Sequence, residues 1–224
     1  MGPEVYLFNI GGPFGDLQGE LHWTLFTYVK LHRLAHSGFH EQNVKLDEYA
    51  SRFGLTSIEA PANELEEQAL IGKCRAMDTL IAEDQDLERS ITVINKMYVV
   101  LFWALAEQFL GRIFKKFVSL ESGSPIDSIK PPYRWDDFKK QYFLKGLNLE
   151  LVHDYSIANE CRVLNNHIKH NPRVSTALAV FPQFASYSGM LIDEVPIDPQ
   201  KYLNGVSNFL GGLIEKANMI NSPA

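Results

Sequence analysis

Residues 87–119 read LERSITVINKMYVVLFWALAEQFLGRIFKKFVS, and this stretch decides the fold. Leu87, Ile91, Ile94, Tyr98, Leu101, Leu105, Phe109, Ile113 and Phe117 recur every three or four residues, which gathers them on one side of an α-helix. Met97, Val100 and Ala104 carry apolar surface round to a second side. A helix apolar on more than one side is covered by neighbours, so residues 87–119 are expected to form the central helix of a bundle. Lys115 and Lys116 fall in its last turn, where cations complement the negative end of the helix dipole. Its strongest apolar run, Met97 to Ala106, is far shorter than the ~20 residues needed to span a bilayer. Glu107, Gln108 and Arg112 follow at once, so the run reads as core, with no membrane partner.

The pattern extends in both directions. Asp16 to about His36 is helical, with Leu21, Leu25, Tyr28 and His32 at helical spacing. The preceding Gly11-Gly12-Pro13-Phe14-Gly15 lacks the lysine and serine of a phosphate-binding loop and reads as a turn. Glu41 to Phe53 predicts a short helix closed by Gly54. Asn63, with Glu66 three residues on, starts another, and Leu70, Cys74, Met77 and Ile81 follow as its stripe. Glu83-Asp84-Gln85-Asp86 suggests a break or exposed turn. Beyond the linker at 121–132, Trp135, Phe138 and Tyr142 fit a helix ending near Gly146. A further helix runs from about Glu150 to His170, and residues 172–197 read as an ordered loop anchored by Phe181, Phe184 and Tyr187. Asp198-Pro199 opens the last helix, whose stripe is Tyr202, Val206, Phe209, Leu213 and Ala217. Val5–Phe8 and Leu178–Phe181 are the two short strand candidates. An all-α fold follows. The division expected is a helical extension over 1–60 packed on a helical bundle over 61–224.

Composition bounds the function. The chain has 224 residues, 46% of them apolar, enough for a substantial core. The two cysteines, Cys74 and Cys161, argue against a disulfide framework and for a reducing, cytoplasmic setting. Met1-Gly2-Pro3-Glu4 offers neither a signal peptide nor a good myristoylation site. A net charge of −6 argues against a broadly basic nucleic-acid coat while leaving room for one local basic site. No cofactor motif, Gly-x-Ser-x-Gly elbow or HExxH occurs. His32 and His36, four apart, lack a third ligand at fixed spacing, so no metal is expected. Asp136 and Asp137 are ordinary acids at a helix start.

One polar cluster stands out, in the helix that Pro172 stops. At about 100° per residue, Ile157, Cys161, Leu164 and Ile168 form its core seam. Arg162, Asn166 and His170 lie on the opposite side, joined by Asn159, while Asn165 and His167 flank the seam. Such a stripe either faces solvent, with Lys169 and His170 serving the helix C-terminus, or does chemistry. Arginine offers a planar fork of donors for phosphate, histidine suits proton transfer near neutrality, and asparagine can orient a ring or a substrate oxygen.

The pattern Arg162-x-x-x-Asn166-x-x-Lys169-His170 follows an aromatic-rich central helix and a Trp-containing helix. Together with the lead-in Glu160-Cys161-Arg162-Val163-Leu164, it resembles bacterial members of the HEPN superfamily over residues 87–181. The resemblance implies a helical bundle, often dimeric. Many members are metal-independent endoribonucleases of toxin–antitoxin and phage-defence systems, and many others are non-catalytic binding or scaffold modules. The nuclease signature is an arginine and a following histidine with four to six residues between them. Arg162 and His167 satisfy it, with four residues between. His170 follows Arg162 with seven residues between, outside that spacing, and Asn165-Asn166 stands where some members carry Arg-Asn. The resemblance implies that His167 or His170 would take a proton from a 2′-hydroxyl. Arg162, with Lys169, would hold phosphate, and Asn166 would orient the base, in a cleft shared by a homodimer. The first expectation is a non-catalytic binding module, with a protein partner of the antitoxin kind or a nucleotide; the alternative is the ribonuclease acting on RNA.

Overall fold

A computed structural model describes residues 11–55 and 60–221. Six α-helices follow in order: α1 (Gly15–Arg52), α2 (Glu64–Ser122), α3 (Trp135–Leu144), α4 (Tyr155–His170), the short α5 (Thr176–Ala179) and α6 (Pro199–Asn221). Short 3-10 turns fill the connections. No strand occurs among the described residues, only an isolated bridge between Arg173 and Leu191. The all-α expectation is met. Val5–Phe8 lies outside the described residues, and 178–181 is the end of α5 and a turn.

The chain divides into two compact units, one of residues 1–28 with 95–224 and one of 29–94. Both divisions fall inside a helix and not at its end. Residues 16–36 and 41–53 are one helix, as are 64–82 and 87–119. The acidic stretch Glu83–Asp86 does not break α2. All four side chains are exposed, glutamate and glutamine are good helix formers, and Asp86 accepts a hydrogen bond from Arg89 one turn on at 3.1 Å. Gly38 likewise passes within α1.

In the larger unit the core lies between the first turns of α1, the second half of α2, and α3, α4 and α6. Leu17, Leu21 and Leu25 of α1 are buried, as are Tyr98, Leu105, Phe109, Ile113 and Phe117 of α2. The second apolar side of α2 is Val99, Phe102, Trp103, Ala106 and Leu110; Met97, assigned there from its spacing, is 63% exposed. Tyr142 of α3 is fully buried and donates its hydroxyl to the Leu110 carbonyl at 2.7 Å, tying α3 to α2. All five stripe residues of α6 are buried. α6 approaches α4 so closely that a Cβ on Gly205 would lie 2.2 Å from Ile157 Cγ2. The glycine turn before α1 is also packed: Phe14 N–H donates to Asn218 Oδ1 of α6 at 3.0 Å.

The unit of residues 29–94 comprises the rest of α1, a turn and the first part of α2. α1 ends in a Schellman motif: Gly54, at φ +60°, sits just past the helix, with Leu55 N–H bonded to Ala50 O and Gly54 N–H to Ser51 O. α2 starts where the sequence places it. Asn63 Oδ1 accepts from Glu66 N–H at 3.0 Å, and the Glu66 carboxylate accepts from Ala62 N–H at 2.7 Å. Of the helices, α2 is the one long and apolar enough to cross a membrane among the described residues, but 61% of that apolar window is buried inside the protein.

Candidate functional site

α4 begins after Asp154, a non-glycine residue at φ 55° whose carboxylate accepts from Asn208 of α6. Ala158, Cys161 and Leu164 are fully buried, with Ile157 and Ile168 half-buried beside them, so the seam is as read. Burial pushes the Cys161 thiol well above its ordinary range, so it is not a ready nucleophile. Glu160 is also buried. It accepts from Lys201 and from the Tyr202 hydroxyl, the latter at 2.8 Å, and Lys201 continues to Gln183 at 2.9 Å. Burial first, then the Glu160 charge, drives the Tyr202 phenol far upward. This network fastens α4 to α6 and to the connection before it.

The polar stripe divides. Arg162 and Asn166 turn to a pocket of about 430 Å³. Trp103, Glu107, Leu110 and Gly111 of α2 form one wall; Pro131, Pro132, Tyr133 and Arg134 of the connector form a second; Trp135 and Phe138 of α3 complete it. Arg162 is half-buried. Its Nε donates to Asn159 Oδ1 at 3.0 Å, and its guanidinium carbon lies 5.5 Å from the Trp135 ring centroid. Burial lowers its pKa, with Tyr155 and Asp136 acting the other way; arginine stays charged throughout. Trp135 in turn meets Trp103 edge-on at 5.5 Å and stacks on Tyr155 at 6.0 Å. Trp103 Nε1 donates to Glu107 at 2.8 Å.

Neither histidine lines this pocket. His167 is 8% exposed, its Nδ1 2.8 Å from the Val163 carbonyl and its Nε2 2.6 Å from Ser175 Oγ. A carbonyl only accepts, so this pairing fits an imidazole with its proton on Nδ1, accepting from the serine hydroxyl. The ring closes the end of α4 onto the segment after Pro172. Asn165 is buried and donates to Asn166 Oδ1. Lys169 and His170 are exposed in the last turn. The structure therefore joins Arg162 to Asn166, and separates both from His167.

Several lining residues escaped the sequence reading: Trp103, Glu107, Tyr133, Arg134 and Trp135. The signal was Pro131-Pro132-Tyr133-Arg134-Trp135, a dense run of rigid, aromatic and cationic residues read only as linker and helix start. Among the described residues no group of three His, Cys, Asp or Glu side chains is arranged to hold a metal; the His32 and His36 rings lie 4.2 Å apart, tilted by 39°. Set against family models, curated proteins and solved structures, the chain gives no match.

Proposed function

We propose that this chain is a non-catalytic, HEPN-like binding module whose docking site is the pocket beside Arg162 and Asn166. One observation carries the reading. The pocket gathers arginine, asparagine and aromatic rings, the equipment of recognition, without a histidine in its lining. Proton transfer needs an acid or base within hydrogen-bond reach of the reacting group; both ring nitrogens of His167 already have protein partners, and the one carboxylate in the lining, Glu107, accepts from Trp103. The HEPN resemblance sets such a module, as a homodimer with a protein partner, in a toxin–antitoxin or phage-defence cassette. Two free cysteines fit a reducing cytoplasm.

The endoribonuclease reading keeps one support, the exposed His170 at the end of the helix that carries Arg162. It requires a second copy to bring His170 to the pocket across a twofold axis. The test is incubation of the purified protein with total cellular RNA, beside His170→Ala. Intact RNA with both proteins is the expected result. Cleavage by the parent that His170→Ala abolishes overturns the module reading.

A further inference from the structure

We infer that the pocket takes a flat aromatic ring bearing one oxyanion, a carboxylate or a phosphate, with the oxyanion on Arg162 and the ring on the Pro131–Tyr133 wall. The inference rests on the pocket being the docking site and adds what docks there.

The oxyanion follows from the state of Arg162. Its Nε is used by Asn159, yet its two terminal nitrogens have no protein acceptor among the described residues. A half-buried guanidinium with an open fork is a site for a planar, two-oxygen acceptor. Trp135 holds the fork in place from the side, so little side-chain freedom is lost on binding. Asn166 accepts from Asn165 through its oxygen and keeps its own amide N–H groups to donate. The lining holds two cations, Arg134 and Arg162, against one carboxylate, Glu107, of which one oxygen already accepts from Trp103. The excess of cationic groups in the lining favours an anion.

The ring follows from the opposite wall. Tyr133 is 96% exposed although it borders a concave pocket, and Pro131 and Pro132 beside it present rigid apolar faces. Trp135 already has Tyr155 and Arg162 as ring neighbours, whereas Tyr133 is almost wholly exposed, so the open aromatic surface at the pocket is that of Tyr133. Aromatic pairs gain beyond simple burial when offset-stacked or edge-to-face. The cavity volume falls in the usual range for small-ligand sites, roughly 300–1,000 Å³.

The experiment titrates the whole chain with benzoate, phenyl phosphate, benzamide and inorganic phosphate. Tryptophan fluorescence reports the pocket, since Trp103 and Trp135 line it, and calorimetry gives affinity. Saturable binding of benzoate or phenyl phosphate below about 10 mM is expected, and which of the two binds tighter identifies the oxyanion. Benzamide and inorganic phosphate should bind at least about tenfold more weakly, because each lacks one half of the recognition. Arg162→Met should weaken the aryl oxyanion by about tenfold or more. Arg134→Gln, at an exposed position that leaves packing intact, should weaken it measurably and flatten its salt dependence. Benzamide binding as tightly as benzoate overturns the oxyanion, and phosphate binding as tightly as phenyl phosphate overturns the ring. Silence of all four ligands with RNA left intact sinks the ligand class while the module reading stands. RNA cleavage lost in His170→Ala sinks the module reading whatever the ligands do.

Discussion

His167 and His170 are three residues apart on one helix, yet the structure gives them opposite duties. His167 bridges the Val163 carbonyl and Ser175 from a buried position, whereas His170 ends α4 in solvent. His167→Ala leaves the serine hydroxyl unpaired and removes a packed ring, so urea unfolding should show a loss of about 2 kcal/mol. His170→Ala should stay within about 0.5 kcal/mol of the parent. Equal effects would show that His167 is not part of the framework. Gln18 makes the reverse case. It is 1% exposed with neither amide atom hydrogen-bonded, so Gln18→Leu should raise stability by about 1 kcal/mol in the same assay. The helical wheel could place Arg162 and Asn166 together and His167 at the edge of the seam, because these relations are internal to one helix. It could not supply Ser175, which lies beyond the proline that stops α4, nor the α2 and connector residues facing Arg162. Those partners are set by how elements pack, and spacing along one helix carries no record of that.

Elements were legible where their signals are local. The Asn63 cap, the Schellman ends at Gly54 and Gly146, and the Asp198-Pro199 start of α6 all stand where residue chemistry puts them. The interruptions expected at 83–86 and near Gly38 do not occur, because aspartate and glycine lower helix propensity without ending a helix that has exposed surface to put them on. Packing between elements is most exacting at Gly205. A methyl there would collide with Ile157 Cγ2 at 2.2 Å and Cβ at 2.6 Å, both on a stiff β-branched side chain. Gly205→Ala should therefore cost about 2–3 kcal/mol by forcing α4 from α6, although alanine is the better helix former. Ile157→Val with Gly205→Ala would not relieve it, since Cβ and Cγ2 are retained, whereas Ile157→Ala should recover part of the loss by removing Cγ2. α1 and α2 are joined differently, by Arg112 donating both terminal nitrogens to Glu20. Those bonds hold the Glu20 carboxyl below its ordinary 4.5. A depressed carboxyl stabilises the folded state above its unfolded pKa and loses that contribution as pH falls through the folded value. Glu20→Gln should thus be less stable than the parent at neutral pH. The gap should narrow below about pH 4.5, as thermal melts across pH would show.

At the scale of the molecule, burial is unevenly shared between the two compact units. Residues 95–221 hold nearly all the fully buried side chains, whereas within the described part of 29–94 Leu55 alone is buried. In the same unit Leu31, Leu34, Tyr49, Phe53, Leu65, Ile71 and Ile81 each leave more than two-fifths of their surface in solvent. Helical propensity alone holds short helices marginally in water, and packing of an apolar face supplies most helix stability in proteins. The two helices of this unit share little of that packing, so they should open at lower free energy than the bundle, although α1 and α2 run unbroken through the boundary. Local opening without global unfolding is what native-state hydrogen exchange measures. Amides at 98–117 of α2 should exchange only through global unfolding, with protection set by the full stability. Amides at 66–90 of the same helix should exchange orders of magnitude faster, each ~1.4 kcal/mol of missing local stability being a factor of ten. The change should fall near residue 95, where the units meet, rather than at a helix end. Uniform protection along all of α2 would mean that residues 29–94 are covered in solution by something that buries their apolar side chains.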